Sequence, residues 1–313
     1  MSVPGIRHGI HHVTALSGPA RRNLDFYNRV LGLRLVKKTV NFDDPGTYHL
    51  YYGDETGRPG TILTFFPIAQ AARGHVGTGE TEETAFTVPR GAIGAWIDRL
   101  AGHGIAVDPP VRRFGDTVLR FADPDGMALA LVGVDEAGPA PARSGGEVPA
   151  GEAIRGIHGV TLRLAETGPT AAILTDVMGF AEVAREGDAV RYASGADLGG
   201  FVTLRGVGEA QRGRAGAGSV HHIAFRAADD AEQAAMVDRL TRDHGLAVTE
   251  QRDRQYFRSV YLREPGGILF EIATDVPGFA VDEPVADLGG ALKLPAFLEA
   301  QRARIEGVLP ALA

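Results

Sequence analysis

Two short stretches combine residues able to do chemistry: Gly218-Ser-Val-His-His-Ile-Ala-Phe225 and Glu264-Pro-Gly-Gly-Ile-Leu-Phe-Glu-Ile-Ala-Thr274. Both read as strands. In the first, Ile223 and Phe225 alternate with His222 and Ala224, which puts an imidazole on the face opposite the apolar one. In the second, a Pro-Gly-Gly turn opens a run in which Phe270 and Ile272 point one way while Leu269, Glu271 and Ala273 point the other. A carboxylate among so many apolar neighbours is costly to bury unless a positive group meets it, and a metal ion would be such a group. Near the N-terminus Ile10-His-His-Val-Thr-Ala15 repeats the double histidine. Val13 and Ala15 set its phase, so that His12 faces away from the packed side with Thr14 beside it. His12, His222 and Glu271 are two imidazoles and one carboxylate, which with open positions is the donor set suited to non-haem Fe(II), with Mn(II) as the alternative. One metal per chain is expected.

The composition leaves room for little else. A chain of 313 residues with 44% hydrophobic content can bury two ordinary cores. A formal charge of -7 and a pI near 5.8 argue against nucleic acid or an anionic membrane as partner. With no Cys, thiolate zinc sites, iron-sulfur clusters, disulfides and thiol nucleophiles are excluded. No leader and no bilayer-length apolar run is evident, which reads as a cytoplasmic protein. The glycine-rich run Gly213 to Gly218 lacks the Lys-Ser/Thr ending of a phosphate loop, and no Gly-x-Ser-x-Gly is present.

The elements that must position the candidate ligands recur. A strand from Ile10, a helix from about Arg21 to Leu31, and strands over Leu33 to Val40, Tyr48 to Tyr52 and Thr61 to Phe66 form one unit. The pattern restarts at Glu83, Ile157 and His221, with helices predicted over Ile93 to His103, Thr170 to Met178 and Asp230 to His244. A repeat of about 65 to 75 residues is longer than solenoid and propeller periods. The predicted fold is α+β, four βαβββ modules paired into two domains. Residues 1–137 hold modules one and two, 138–152 a linker rich in Ala, Gly and Pro, 153–275 modules three and four, and 276–313 a tail with a helix from Pro295 to about Val308.

Aligning the four module starts places together His11-His12, Glu82-Glu83, His158-Gly159 and His221-His222. The last strands align Thr64, Ala130, Thr203 and Glu271. Modules one and four then supply a complete ligand set, whereas two and three would offer Glu83, Gly159 and Ala130, a vacated site. His8, His49, His75, His103 and His244 are expected to be bystanders. By strand parity His11 and His221 should lie on the helix-packed side, where a ring could cap the strand through a backbone hydrogen bond.

Four such modules, with Phe26-Tyr-Asn-Arg-Val-Leu-Gly32 after the first strand, resemble the vicinal-oxygen-chelate superfamily of glyoxalases, bleomycin-resistance proteins and extradiol dioxygenases. Lys38-Thr-Val-Asn-Phe-Asp-Asp-Pro-Gly-Thr-Tyr-His-Leu-Tyr-Tyr-Gly53, Tyr256-Phe-Arg-Ser-Val-Tyr-Leu-Arg-Glu-Pro-Gly-Gly267 and Leu288 to Pro295 are similar to hydroquinone ring-cleaving dioxygenases. The resemblance implies an Fe(II) dioxygenase of aromatic-compound degradation that opens a para-dihydroxybenzene with O2 to a hydroxymuconic semialdehyde. It also implies that His11, Thr14, His221, Arg254 and Tyr261 belong to the pocket around the metal. The expected partners are a small aromatic substrate and O2, with association into a homo-oligomer left open. The alternatives are a glyoxalase-type isomerase or lyase, which would want a fourth ligand, a carboxylate, where Thr64 stands, and a metal-free binding protein on the same scaffold.

Overall fold

The computed structural model describes residues 8–139, 147–208 and 210–312. Module one contributes strands β1 (Ile10–Ser17), β2 (Arg34–Asn41), β3 (Asp44–Gly53) and β4 (Ile62–Pro67); module two β5 (Glu80–Pro89), β6 (Val111–Arg113), β7 (Asp116–Ala122) and β8 (Ala128–Val134). Module three contributes β9 (Gly156–Leu164), β10 (Ala181–Glu186), β11 (Ala189–Ala193) and β12 (Phe201–Gly206); module four β13 (Val220–Ala227), β14 (Arg252–Asp253), β15 (Arg258–Arg263) and β16 (Leu269–Thr274). The short strands β6 and β14 escape sequence periodicity because two or three residues carry no alternation.

The strands form two eight-stranded sheets, in the orders β14-β15-β16-β13-β1-β4-β3-β2 and β10-β11-β12-β9-β5-β8-β7-β6. Each sheet joins modules from the two halves of the chain, one with four and two with three. The fold is the expected α+β one, with each sheet curled round a concave face. The predicted linker 138–152 falls in part, over 140–146, outside the described residues. Of its remainder, Val148 is buried in the core.

Helices cover the convex faces. The first is α1 (Ala20–Leu24) running into a π-helical turn over Asp25–Val30, where Leu31 N–H reaches back to the Phe26 carbonyl at 3.0 Å. Helices α2 (Ile93–Gly102), α3 (Gly168–Asp176) and α4 (Asp230–Arg242) follow the prediction to within about two residues at each end, the usual uncertainty of such boundaries. Beneath them Val13, Ala15, Ile223, Phe225, Phe270 and Ile272 are all buried in one core. The turns before the last strands bind consecutive modules together. Asp123 accepts from the Tyr27 hydroxyl at 2.9 Å and from the Met127 backbone N–H at 2.8 Å. Glu264 does the same between modules three and four, accepting from Thr170 at 2.5 Å and from the Ile268 N–H at 2.9 Å. Each acidic turn residue thus satisfies its own turn and ties the preceding module's helix to it.

The tail folds back on the first sheet. Lys37 of β2 is fully buried, 2.5 Å from both Asp282 and Glu283, with its ammonium 4.8 Å above the Tyr256 ring. The single helix expected after Pro295 is two, α5 (Ala296–Glu299) and α6 (Arg302–Val308), and Leu298 and Ile305 pack on Val40.

Candidate metal centre

The site is built across the middle of the first sheet. β1 and β13 run antiparallel with His12 opposite Ala224 and Thr14 opposite His222, so the two modules meet about a pseudo-twofold axis. β16 lies parallel to β13 with Glu271 beside Ala224, and β4 lies parallel to β1 with Thr64 beside Thr14. Sheet pairing therefore brings Thr64 and Glu271 to equivalent places, as it does Ala130 and Thr203 in the other sheet.

His12, His222 and Glu271 meet on the concave face, all buried, with one ligand atom of each within 4.8 Å of the others. Glu271 Oε2 lies 2.9 Å from His222 Nε2 and 3.5 Å from His12 Nε2. Its other oxygen accepts a hydrogen bond from Ser259 Oγ, whereas Oε2 has no hydrogen-bond partner.

The register is not regular, and the irregularity matters. A shift between Ile10 and His12 and another at the matching place in β13, before His222, make each double histidine a β-bulge. A bulge re-aims side chains that a flat strand would send to opposite faces. His11 and His221 accordingly do not lie on the helix-packed side, as parity had placed them. His11 Nδ1 is 2.9 Å from His12 Nδ1, and His221 Nδ1 is 2.7 Å from His222 Nδ1. The bulge at His11 is held by its carbonyl, which accepts from Gly60 N–H at 2.8 Å.

The contacts admit a protonation pattern that frees both ligating nitrogens. Burial holds the His11 imidazole well below its ordinary pKa, so it is neutral. With Nδ1 as its acceptor it would receive the Nδ1–H of His12 and leave the His12 Nε2 lone pair facing Glu271. Burial, with the adjacent His222, likewise brings His221 down to about 4. Lone pairs thus converge with the orphaned Glu271 oxygen, an arrangement that a divalent cation would satisfy. The residues fit such an ion, with His11 and His221 in contact with the rings that would hold it.

The floor opens into a cavity of about 410 Å³ lined in part by His49, Tyr51, Phe66, His221, Arg254, Phe257 and Tyr261. Tyr261 pairs directly across β15 and β16 with Glu271. Its hydroxyl accepts from Arg254 Nε at 3.2 Å, and Arg254 also donates to Asp43 at 3.0 Å. Burial and the nearby Glu271 raise the Tyr261 pKa, so the phenol keeps its proton. Thr14 is fully buried and bonds Thr64 through the two hydroxyls at 3.0 Å. His8, His75, His103 and His244 stand away from the cavity lining, but His49 lines it. That one was missed although alternation could have found it: with Leu50 and Tyr52 in the core, His49 and Tyr51 had to face the concave side.

The second sheet shows how a site is vacated. Glu83 is clamped by Arg113 at 2.6 Å and Arg120 at 3.0 Å. Gly159 has no room for any side chain, since a Cβ there would stand 2.2 Å from the Phe201 carbonyl oxygen. Its neighbour His158, brought down to about 3 by burial and then by Arg191, stacks on Phe201 at 4.6 Å. No second metal-competent group occurs among the described residues.

Replacing His12 would remove one of the three candidate ligands, whereas replacing His11 would remove a ring that contacts it. His12→Ala is expected to lose the metal, and His11→Ala to bind it about 10- to 100-fold more weakly. Competition with a chromophoric chelator checks the ordering; equal loss from both would place His11 among the ligands.

Residues 9–131 and 156–272 match the model of the glyoxalase/bleomycin resistance protein/dioxygenase superfamily. The chain is 48% identical over 303 residues, 96% of both chains, to the Bacillus subtilis protein named "Putative ring-cleaving dioxygenase MhqO". It is 34% identical over 308 residues, 96% of this chain and 95% of the other, to the chlorohydroquinone/hydroquinone 1,2-dioxygenase of Sphingobium indicum. The crystal structure of a "putative dioxygenase" from Bacillus subtilis superposes with a TM-score of 0.93 at 48% identity, over 97% of each chain. The chain belongs to the glyoxalase/bleomycin resistance protein/dioxygenase superfamily.

Proposed function

We propose that this chain is an Fe(II)-dependent, extradiol-like dioxygenase that opens a hydroquinone-type dihydroxybenzene with O2, next to a hydroxyl-bearing carbon, to a hydroxymuconic semialdehyde. The observation that carries this reading is the convergence of His12, His222 and the unpartnered Glu271 oxygen at the floor of a cavity walled by aromatic rings. The names of the relatives, ring-cleaving and hydroquinone dioxygenases, support the reaction class. Thr64 in the place of a fourth, carboxylate ligand speaks against a four-ligand isomerase.

A divalent metal held by these three residues would acidify a coordinated substrate hydroxyl and supply the redox centre for O2. The remaining tasks fall to the chain. His11 and His221 keep Nε2 of the ligating rings pointed inward. Tyr261, protonated and fixed by Arg254 and beside Glu271, holds a proton at its Oη where it can be given to or shared with a substrate oxygen. Phe257, packed at 5.1 Å from His12, keeps water off the floor and offers a face to an aromatic ring.

Oxygen uptake by the Fe(II)-loaded protein, with hydroquinone, methylhydroquinone and catechol side by side, tests this. Hydroquinones are expected to be turned over faster than catechol, and Tyr261→Phe to lower kcat by about 10²-fold or more with metal content unchanged. Equal or better cleavage of catechol would overturn the hydroquinone assignment. No uptake with any of the three would return an isomerase to first place.

A further inference from the structure

The pseudo-twofold axis that relates module one to module four also relates two pairs of polar side chains facing the same cavity. On one side Tyr261 sits opposite Glu271 across β15 and β16, and Ser259, two residues earlier, hydrogen-bonds the Glu271 carboxylate. On the other, Tyr51 sits opposite Thr64 across β3 and β4, and His49, two residues earlier, bonds the Thr64 hydroxyl through Nε2 at 2.7 Å. Tyr51 Oη is in turn 2.8 Å from His49 Nδ1, and Thr64 continues the chain to Thr14. The axis has therefore kept a tyrosine on each wall while changing the residue beneath it from a ligand to a hydroxyl.

Of the two orders of donors that a neutral His49 allows along this chain, the one that starts at its Nε2 makes Tyr51 an acceptor toward the cavity. His49 is packed between Tyr51 and Phe66, with ring centroids 4.0 and 4.2 Å away, and burial holds its imidazole well below the ordinary pKa, so it is neutral. A neutral ring has one N–H. When Nε2–H donates to Thr64 and Thr64 to Thr14, Nδ1 is an acceptor and takes the Tyr51 proton. Tyr51 Oη is then left with lone pairs as its remaining hydrogen-bonding capacity. Its own ring is buried against Tyr256, Phe257 and Phe279, which fixes its direction.

We infer that Tyr51, set by His49, is a substrate-binding residue that accepts a hydrogen bond from the hydroxyl of the aromatic substrate remote from the metal. It selects a second O–H donor rather than a bare or O-methylated ring. The inference rests on the ring-cleaving reading of the same site. A pocket group aimed at a hydroxyl discriminates against analogues lacking it, because that group is then left unpaired.

The test is anaerobic calorimetric titration of the Fe(II)-loaded protein with hydroquinone, phenol and 4-methoxyphenol, in wild type, Tyr51→Phe and His49→Leu. Wild type should bind hydroquinone about tenfold more tightly than either monohydroxy compound. Both variants should weaken hydroquinone about tenfold, leave phenol within about twofold, and keep full metal content. Parallel weakening of hydroquinone and phenol would make the pair a mere wall of the cavity and overturn the inference, as would no change in either. A wild-type protein that bound none of the three would overturn the ring-cleaving reading itself, a failure visible before any variant is made.

Discussion

Glu271→Gln is expected to empty the metal site without unfolding the chain. The substitution keeps volume and shape, but an amide in place of the carboxylate removes the anionic oxygen that faces His12 and His222. Metal affinity should fall by more than about a hundredfold, beyond the loss seen for orienting residues, and turnover should fall with it. Stability separates this from general damage. Glu271 is fully buried, and despite that burial His12 and His222 beside it hold its carboxyl well below the ordinary range. The metal-free variant should lose part of this attraction and still melt in one cooperative step. Added Fe(II) or Mn(II) at about a hundred times Kd should stabilise wild type by about 2.7 kcal/mol and the variant far less. Thermal melts with and without metal read both effects; equal stabilisation of the two proteins would mean that the ion binds elsewhere.

The second large effect lies away from the chemistry. Lys37 is the one fully buried lysine among the described residues, and it holds the tail through Asp282 and Glu283. Lys37→Met keeps the apolar stem but leaves two acidic groups, one of them buried, without their cation. Breaking a buried pair from one side costs about 3 to 5 kcal/mol. Urea titration should show that loss, and the double change Lys37→Met with Glu283→Gln should recover part of it. The network continues through Gln255, which donates to Asp282 at 2.8 Å, and through Tyr256, whose hydroxyl also bonds Asp282 at 3.0 Å and whose ring stacks on Phe279 at 5.0 Å. Because Tyr256 precedes Phe257 of the cavity wall, the tail should also govern how firmly the wall stands. A change of less than about 1 kcal/mol in Lys37→Met would contradict this account.

Much of the centre was legible because strand parity is a strong rule. The apolar residues Val13, Ile223, Phe270 and Ile272 fix which face of each strand is buried, and His12, His222 and Glu271 follow on the other face. The equivalence of Thr64, Ala130, Thr203 and Glu271 was legible from their spacing after the turn glycines, and the sheet pairings reproduce it.

What escaped has a physical cause in each case. The bulges at His11 and His221 depend on how β1 and β13 meet, strands about two hundred residues apart, and alternation within one strand carries no trace of such a partner. His49 was set aside as a lone histidine although alternation with Leu50 and Tyr52 gives its face; that this face lines a cavity emerges only when the sheet curls. Lys37 reads as an ordinary strand lysine until the tail, 245 residues on, covers it. The linker and tail lack the periodicity that made the modules readable.

We propose that His12, His222 and Glu271 hold a single divalent metal. Anomalous X-ray diffraction at the iron edge, from crystals of protein prepared anaerobically with Fe(II), tests it most directly. One peak per chain is predicted, about 2.0 to 2.2 Å from Nε2 of His12, Nε2 of His222 and Oε2 of Glu271, typical of first-row divalent ions such as zinc with these donors. Coordination through the Nδ1 atoms, a peak in the second sheet near Glu83, or no bound iron after reconstitution would contradict it.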